Sequence, residues 1–165
     1  MTISVIGLNH KSANIDVREK FSFTSATSAL LIRRIKKIHN INEVVVISTC
    51  NRTEIYIDSV SGPKDLQEWL DLENDFKVLS DHMYVYEEED AIEHLFKVVS
   101  GLDSMVVGES EVLGQVKTSY KVALENKTID SKLKRLFEYS FSVARNVRSN
   151  TDIGGNAISF MYTSI

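Results

Sequence analysis

The feature that most limits how this chain can fold is the run Glu43-Val-Val-Val-Ile47, followed directly by Ser48-Thr49-Cys50-Asn51-Arg52. Four consecutive β-branched residues leave no polar face, so the run reads as a central strand buried on both sides. Such a strand needs covering layers above and below it. It stops abruptly at a polar turn, and residues 53–58 (Thr-Glu-Ile-Tyr-Ile-Asp) continue as a further strand.

The flanking pattern supplies the rest of a sheet. Residues 3–8 are β-rich and end at Asn9-His10, where a polar turn follows. Thr24 or Ser25 can cap a helix running to about residue 39, with Ala29, Leu30, Ile32, Ile35 and Ile38 at helical spacing. Pro63 stands where a second helix begins, with Leu66, Trp69, Leu70 and Leu72 on its apolar side. Residues 82–86 read as a fourth strand. The order β-α-β-β-α-β is the ferredoxin-like arrangement.

Beyond residue 87 the pattern turns helical. Glu88, Glu89 and Asp90 complement the N-terminal dipole of a helix with Ile92, Leu95, Phe96 and Val99 as its stripe and Gly101 as its stop. A glycine-bounded stretch, 101–108, leads to helices over about 111–125 and 131–150. Residues 156–165 open one more helix, whose apolar side chains find no partner in so short a tail. The expectation is therefore an α+β chain: a ferredoxin-like αβ part (1–86), a helical part (87–155), and the start of a truncated linking helix (156–165).

Composition narrows the function classes. The 165 residues carry 25% charged side chains and a net charge of −4, which argues against nucleic-acid binding by overall field but not against a local basic patch. Lys132, Lys134, Arg135, Arg145 and Arg148 make such a patch, whose ordinary reading is a solvated helix face. No apolar run reaches the ~20 residues of a membrane span, and the first residues lack a signal peptide's pattern. One cysteine excludes an intrachain disulfide and a Cys-rich zinc site, and the four histidines have no metal-ligand spacing. A free thiol and no targeting signal point to the cytoplasm.

That cysteine is the main candidate for chemistry. A packing cysteine belongs among residues 44–47, whereas Cys50 lies past the strand end with polar neighbours on both sides. A strand end fixes a side chain yet leaves it open to a cleft, as a nucleophile needs. Arg52 is near enough in sequence to favour the thiolate or to grip a carboxylate; its ordinary reading is a surface salt bridge to Glu54 or Asp58. His94 lies among Ala91, Leu95 and Val98, where a packed core histidine is the default.

The segment Ser-Thr-Cys-Asn-Arg-Thr-Glu (48–54) is similar to the signature of glutamyl-tRNA reductases. Gly-Leu-Asp-Ser-Met-Val-Val-Gly-Glu-Ser-Glu-Val-Leu-Gly-Gln (101–115) resembles that family's second motif. Residues 7–13 and the stretch Arg148…Thr151-Asp-Ile…Asn156-Ala-Ile-Ser also match, so the resemblance covers essentially the whole chain. It implies that the Cys50 thiolate attacks the ester of glutamyl-tRNA(Glu). NADPH then reduces the resulting thioester to glutamate 1-semialdehyde for tetrapyrrole (porphyrin) biosynthesis. It also implies that Thr49, Asn51 and Arg52 line the glutamyl pocket, with Arg52 on the substrate carboxylate. Ser104, Glu109, Ser110, Glu111 and Gln115 match substrate-contacting positions, and His94 matches a histidine important for activity that would protonate the departing ribose oxygen. The chain departs from the family at Glu111, where glutamine is usual. A carboxylate there would repel an anionic substrate, and a helix N-terminal acid is the other reading.

No Gly-x-Gly-x-x-Gly follows a strand, so the resemblance implies that NADPH binds in a domain outside this sequence, as does the homodimer contact. The chain alone is expected to lack reductase activity while forming the thioester or leaking it to water. Glutamate-1-semialdehyde aminomutase is a further implied partner; no metal and no membrane are expected. Two rival readings stay open: another cysteine-dependent esterase or acyltransferase using Cys50 and His94, and a non-catalytic ferredoxin-like binding module.

Overall fold

The computed structural model describes residues 2–104 and 111–150, the side chains of 148–150 excepted. Its elements are β1 (Thr2–Asn9), α1 (Ile15–Glu19), α2 (Ser25–Lys36), β2 (Ile41–Ser48), β3 (Arg52–Ser59), α3 (Lys64–Leu72), a 3₁₀ turn (Lys77–His82), β4 (Tyr84–Glu87), α4 (Glu88–Val99), α5 (Glu111–Glu125) and α6 (Ser131–Asn150). The sheet has the order β2-β3-β1-β4, and every neighbouring pair is antiparallel. β3 is thus inserted between β1 and β2, and the chain is the mixed α+β fold with helices after the sheet that the pattern implied.

The aliphatic run does form a strand buried along most of its length, and β3 beside it is buried at every position. Two helical layers account for this. α2 packs on β2 from one side, and an edge-on aromatic group of Phe21, Phe23 and Phe76 fills the space toward Trp69 of α3. On the other side α4 packs on β1, and Phe137 of α6 meets Tyr56 of β3 with ring centroids 5.5 Å apart. One apolar core includes residues from β1 through α6.

Three local differences have plain causes. The stretch after His10 is more than a turn, because Asn14 caps Val17 N–H and starts the short α1. α2 ends at Lys36, a little before the expected residue 39, because the N–H groups of Lys37 and Ile38 turn back three residues to the Arg34 and Ile35 carbonyls and Asn40 then takes φ 70°. His82 belongs to the 3₁₀ turn, anchored by buried Leu79, so β4 begins two residues later at Tyr84.

The exposed edge of β2 is closed from a distance. Thr128 accepts from Val44 N–H through its carbonyl at 2.8 Å and donates its hydroxyl to the Val44 carbonyl at 2.9 Å. Glu43 next to it accepts from the backbone N–H groups of Asp130 and Leu133, at 2.6 and 3.0 Å, and so satisfies donors at the start of α6. At the other end of the fold, α4 stops in a Schellman arrangement. Gly101 has φ 75°, its N–H reaches the Val98 carbonyl and Leu102 N–H reaches that of Lys97. That reversal sends Asp103 back toward the sheet.

Candidate active site

Cys50 and Asn51 form the two-residue tip between β2 and β3. The hairpin is closed by Thr49 N–H donating to the Arg52 carbonyl at 2.8 Å. The Thr49 hydroxyl oxygen accepts from both Asn51 N–H and Arg52 N–H at 3.2 Å, so the tip is tied from within. Ser48, at the root, accepts from Phe23 N–H at 3.0 Å and bonds the Thr53 hydroxyl at 3.1 Å. Cys50 itself is exposed on this braced turn.

Behind the tip lies a buried ionic cluster. Strand alternation puts Arg52, Glu54 and Tyr56 on one face of β3, the face covered by α4 and α6. Glu54 is fully buried and its carboxylate takes four donors: Tyr56 Oη on Oε1 at 3.0 Å, and Arg52 Nη1 at 3.1 Å, Tyr84 Oη and His94 Nε2 on Oε2. Burial alone would raise this carboxyl, but the charge and hydrogen bonds of His94, Arg52 and Tyr84 outweigh it and hold the pKa down to about 2. Burial and the neighbouring Glu54 charge push both tyrosines well above their usual range, so they remain donors.

The reach of Glu54 depends on a missing side chain. Gly7 of β1 stands between Glu54 on β3 and Tyr84 on β4, in register with both. A Cβ there would lie 2.8 Å from Glu54 Cγ and 2.6 Å from the Thr53 carbonyl oxygen. The glutamate crosses the space that glycine leaves.

Arg52 extends the cluster outward. Its Nη2 donates to the Asp103 carbonyl at 2.6 Å and to the Asp103 carboxylate at 3.0 Å, and Lys11 Nζ meets the other carboxylate oxygen at 3.0 Å. Burial opposes the ionised form of Asp103, yet Lys11 and Arg52 leave its pKa below the usual value. Burial and the positive charge of Arg52 push the pKa of His10, just past β1, below its usual value, and its buried Nδ1 has no hydrogen-bond partner among the described residues. An open cleft of about 390 Å³ lies over His94, lined also by Tyr86, Asp90, Glu93, Lys97 and Asp103. The rings of Tyr84 and Tyr86 sit 5.5 and 4.9 Å from the imidazole.

Known proteins resemble this chain in sequence and in fold. A family model described as the N-terminal domain of glutamyl-tRNA(Glu) reductase matches residues 6–151. The chain belongs to that family. Glutamyl-tRNA reductase of Xylella fastidiosa (strain M12) is 42% identical over 165 residues, all of this chain and 38% of that protein. That of Chromohalobacter salexigens is 41% identical over 168 residues, covering all of this chain and 40% of the relative. The solved glutamyl-tRNA reductase from Methanopyrus kandleri superposes with a TM-score of 0.76 at 31% identity, over 90% of this chain and 35% of the other. The chain therefore spans well under half the length of these relatives.

Within this glutamyl-tRNA reductase N-terminal domain, the site residues named from sequence fall into distinct places. Thr49, Cys50, Asn51 and Arg52 share the hairpin, and His94 reaches Arg52 through Glu54. Cys50 is not among the residues lining the cleft over His94. Arg52 is only 2% exposed, and both terminal nitrogens are engaged by Glu54 and Asp103 rather than open to a ligand, because a buried guanidinium must be matched. Its ordinary alternative, a pair with Glu54, does form, but in the interior. Ser104 is half-buried beside Asp103, and Glu111 opens α5 exposed. Gln115 lies apart from His94, in a crevice of about 130 Å³ that also includes Ser28, Ser48 and Ser119. Glu109, Ser110 and the 151–165 stretch lie outside the described residues, as does the side chain of Arg148. In the basic patch, Lys132 pairs with Asp58 at 3.4 Å, while Lys134, Arg135 and Arg145 are exposed. Glu54, Tyr84 and Asp103 escaped the sequence reading as site members, although Glu54 and Asp103 both lie inside the motifs.

Proposed function

We propose that this chain is the acyl-accepting part of a glutamyl-tRNA reductase, with Cys50 as nucleophile and His94 as proton carrier. The observation that carries the reading is a lone exposed thiol on a braced hairpin, backed by the buried Arg52–Glu54–His94 cluster. The Cys50 sulfur, as thiolate, would bond to the carbonyl carbon of the glutamyl ester. The carbon–oxygen bond to the terminal ribose would then break, and the ribose oxygen would take a proton from His94, which had received it from the thiol. A glutamyl thioester and free tRNA result. Arg52 and Asn51 would meet the glutamyl side chain, with Ser104, Glu109, Ser110, Glu111 and Gln115 contacting substrate from the helical part. For Arg52 this requires the substrate carboxylate to take the place of Asp103.

The residues here do not fit a nicotinamide cofactor. The four-stranded sheet is antiparallel at every neighbouring pair and, among the described residues, offers no strand–glycine loop–helix turn of the dinucleotide-binding kind. We take NADPH, the homodimer contact and any aminomutase contact to belong to the portion of the relatives that this chain does not span. Exposed Lys134, Arg135 and Arg145 on α6 would contribute a few phosphate contacts to tRNA.

The test is to mix the chain with glutamyl-tRNA, quench in acid and weigh the intact protein. One glutamyl adduct is expected, absent from Cys50→Ser. No adduct, together with slow alkylation of Cys50, would overturn the proposal. Turnover of simple esters with no preference for glutamyl-tRNA would favour a general cysteine esterase instead.

A further inference from the structure

The four donors converging on Glu54 fix more than a buried charge. An ionised carboxylate accepts and cannot donate, so the ring nitrogen facing it must carry the hydrogen. Nε2 of His94 is the nitrogen on Glu54, and the imidazole is only 10% exposed. Nδ1 is therefore the nitrogen left for the cleft, and in the neutral ring it bears the lone pair. Tyr84 and Tyr86 flank the ring, and Gly7 gives Glu54 the clearance to reach it.

We propose that Glu54 is the positioning residue of His94, holding the hydrogen on Nε2 so that Nδ1 alone exchanges protons with the reacting groups. This inference rests on the acyl-transfer reading above. In the step it serves, the Cys50 thiol gives up its proton to Nδ1 by way of solvent in the open cleft, since Cys50 does not itself line it, and the sulfur forms its bond to the ester carbon. Nδ1–H then delivers that proton to the ribose oxygen as the carbon–oxygen bond breaks. Nε2–H stays on Glu54 throughout, and the carboxylate steadies the imidazolium formed between the two transfers. Without the carboxylate the ring can hold its hydrogen on the wrong nitrogen, and Nδ1 loses its role as base.

Two measurements decide this. Long-range proton–nitrogen NMR of the nitrogen-15-labelled chain, followed upward in pH until a single imidazole hydrogen remains on His94, should show that hydrogen on Nε2 and Nδ1 bare. The reverse tautomer overturns the inference, and this readout needs no variant to fold. Single-turnover acylation of Cys50 by glutamyl-tRNA should slow about 10- to 100-fold in Glu54→Gln, with the half-saturating tRNA concentration unchanged. In a His94→Ala background the same Glu54→Gln change should alter the rate less than about twofold, since the two residues then act as one unit. Equal losses in both backgrounds would mean Glu54 is merely structural and would overturn the proposal, as would an unchanged rate when Glu54→Gln is made in the otherwise native chain. A chain with its native residues that accepts no acyl group refutes the acyl-transfer reading itself, a result distinct from acylation indifferent to Glu54.

Discussion

Gly7→Ala tests how tightly the buried cluster is built. The added methyl would stand 2.6 Å from the Thr53 carbonyl oxygen and 2.8 Å from Glu54 Cγ. Neither neighbour can yield cheaply. The Thr53 oxygen is part of the β1–β3 pairing, and tilting the Glu54 stem moves its carboxylate off Tyr84 and His94. Overpacking of this kind costs about 1–3 kcal/mol, and loss of one charge-assisted hydrogen bond adds about 1.5–3 kcal/mol. We expect about 3–5 kcal/mol in all, which for a chain of this size lowers Tm by roughly 10 °C. Urea unfolding followed by far-UV circular dichroism measures it, with an unchanged m-value showing that the unfolded state is not the cause. A loss below about 1 kcal/mol would refute the reasoning, because the sheet would then have room that the register denies.

Two further outcomes follow from the same geometry. The Glu54 carboxyl is held at about 2 in the fold against an ordinary 4.5, a difference worth about 3 kcal/mol that is fully present above pH 4.5 and drains away as pH falls toward 2. The stability gap between the native chain and Glu54→Gln should therefore narrow by about 2 kcal/mol between pH 6 and pH 3, and a constant gap in urea melts would contradict this assignment. Thr128→Val removes the buried hydroxyl that donates to the Val44 carbonyl and should cost about 1–2 kcal/mol in thermal melts; a neutral effect would show that water replaces it.

Much of the architecture was readable because the periodicities are strong. The Val44–Ile47 run could only be a covered strand, and the order of elements allowed few sheets. The site was readable in part. Cys50 stands out because it interrupts nothing apolar and ends something that is. Glu54 was harder, for a physical reason. In β3, Arg52, Glu54, Tyr56 and Asp58 alternate with Thr53, Ile55 and Ile57, which is how a strand with a solvated face is written. The chain instead lays α4 and α6 over that polar face and satisfies it internally. Telling the two cases apart requires knowing that His94 and Asp103, from a later helix and its exit loop, arrive at the same place. Sequence spacing does not record a contact spanning 40 or 51 positions.

The closure of β2 has a consequence for the chain as it is made. Its Val-Val-Val-Ile core is the segment most able to stack against copies of itself, and a free edge would expose it to strand addition. In the finished fold Thr128 and α5 cover that edge, while β4 at the opposite side offers only four residues. The covering residue, however, lies 84 positions downstream of the strand it protects. During translation the sticky segment therefore leaves the ribosome long before its shield, and that interval is when the nascent chain is most open to misassociation.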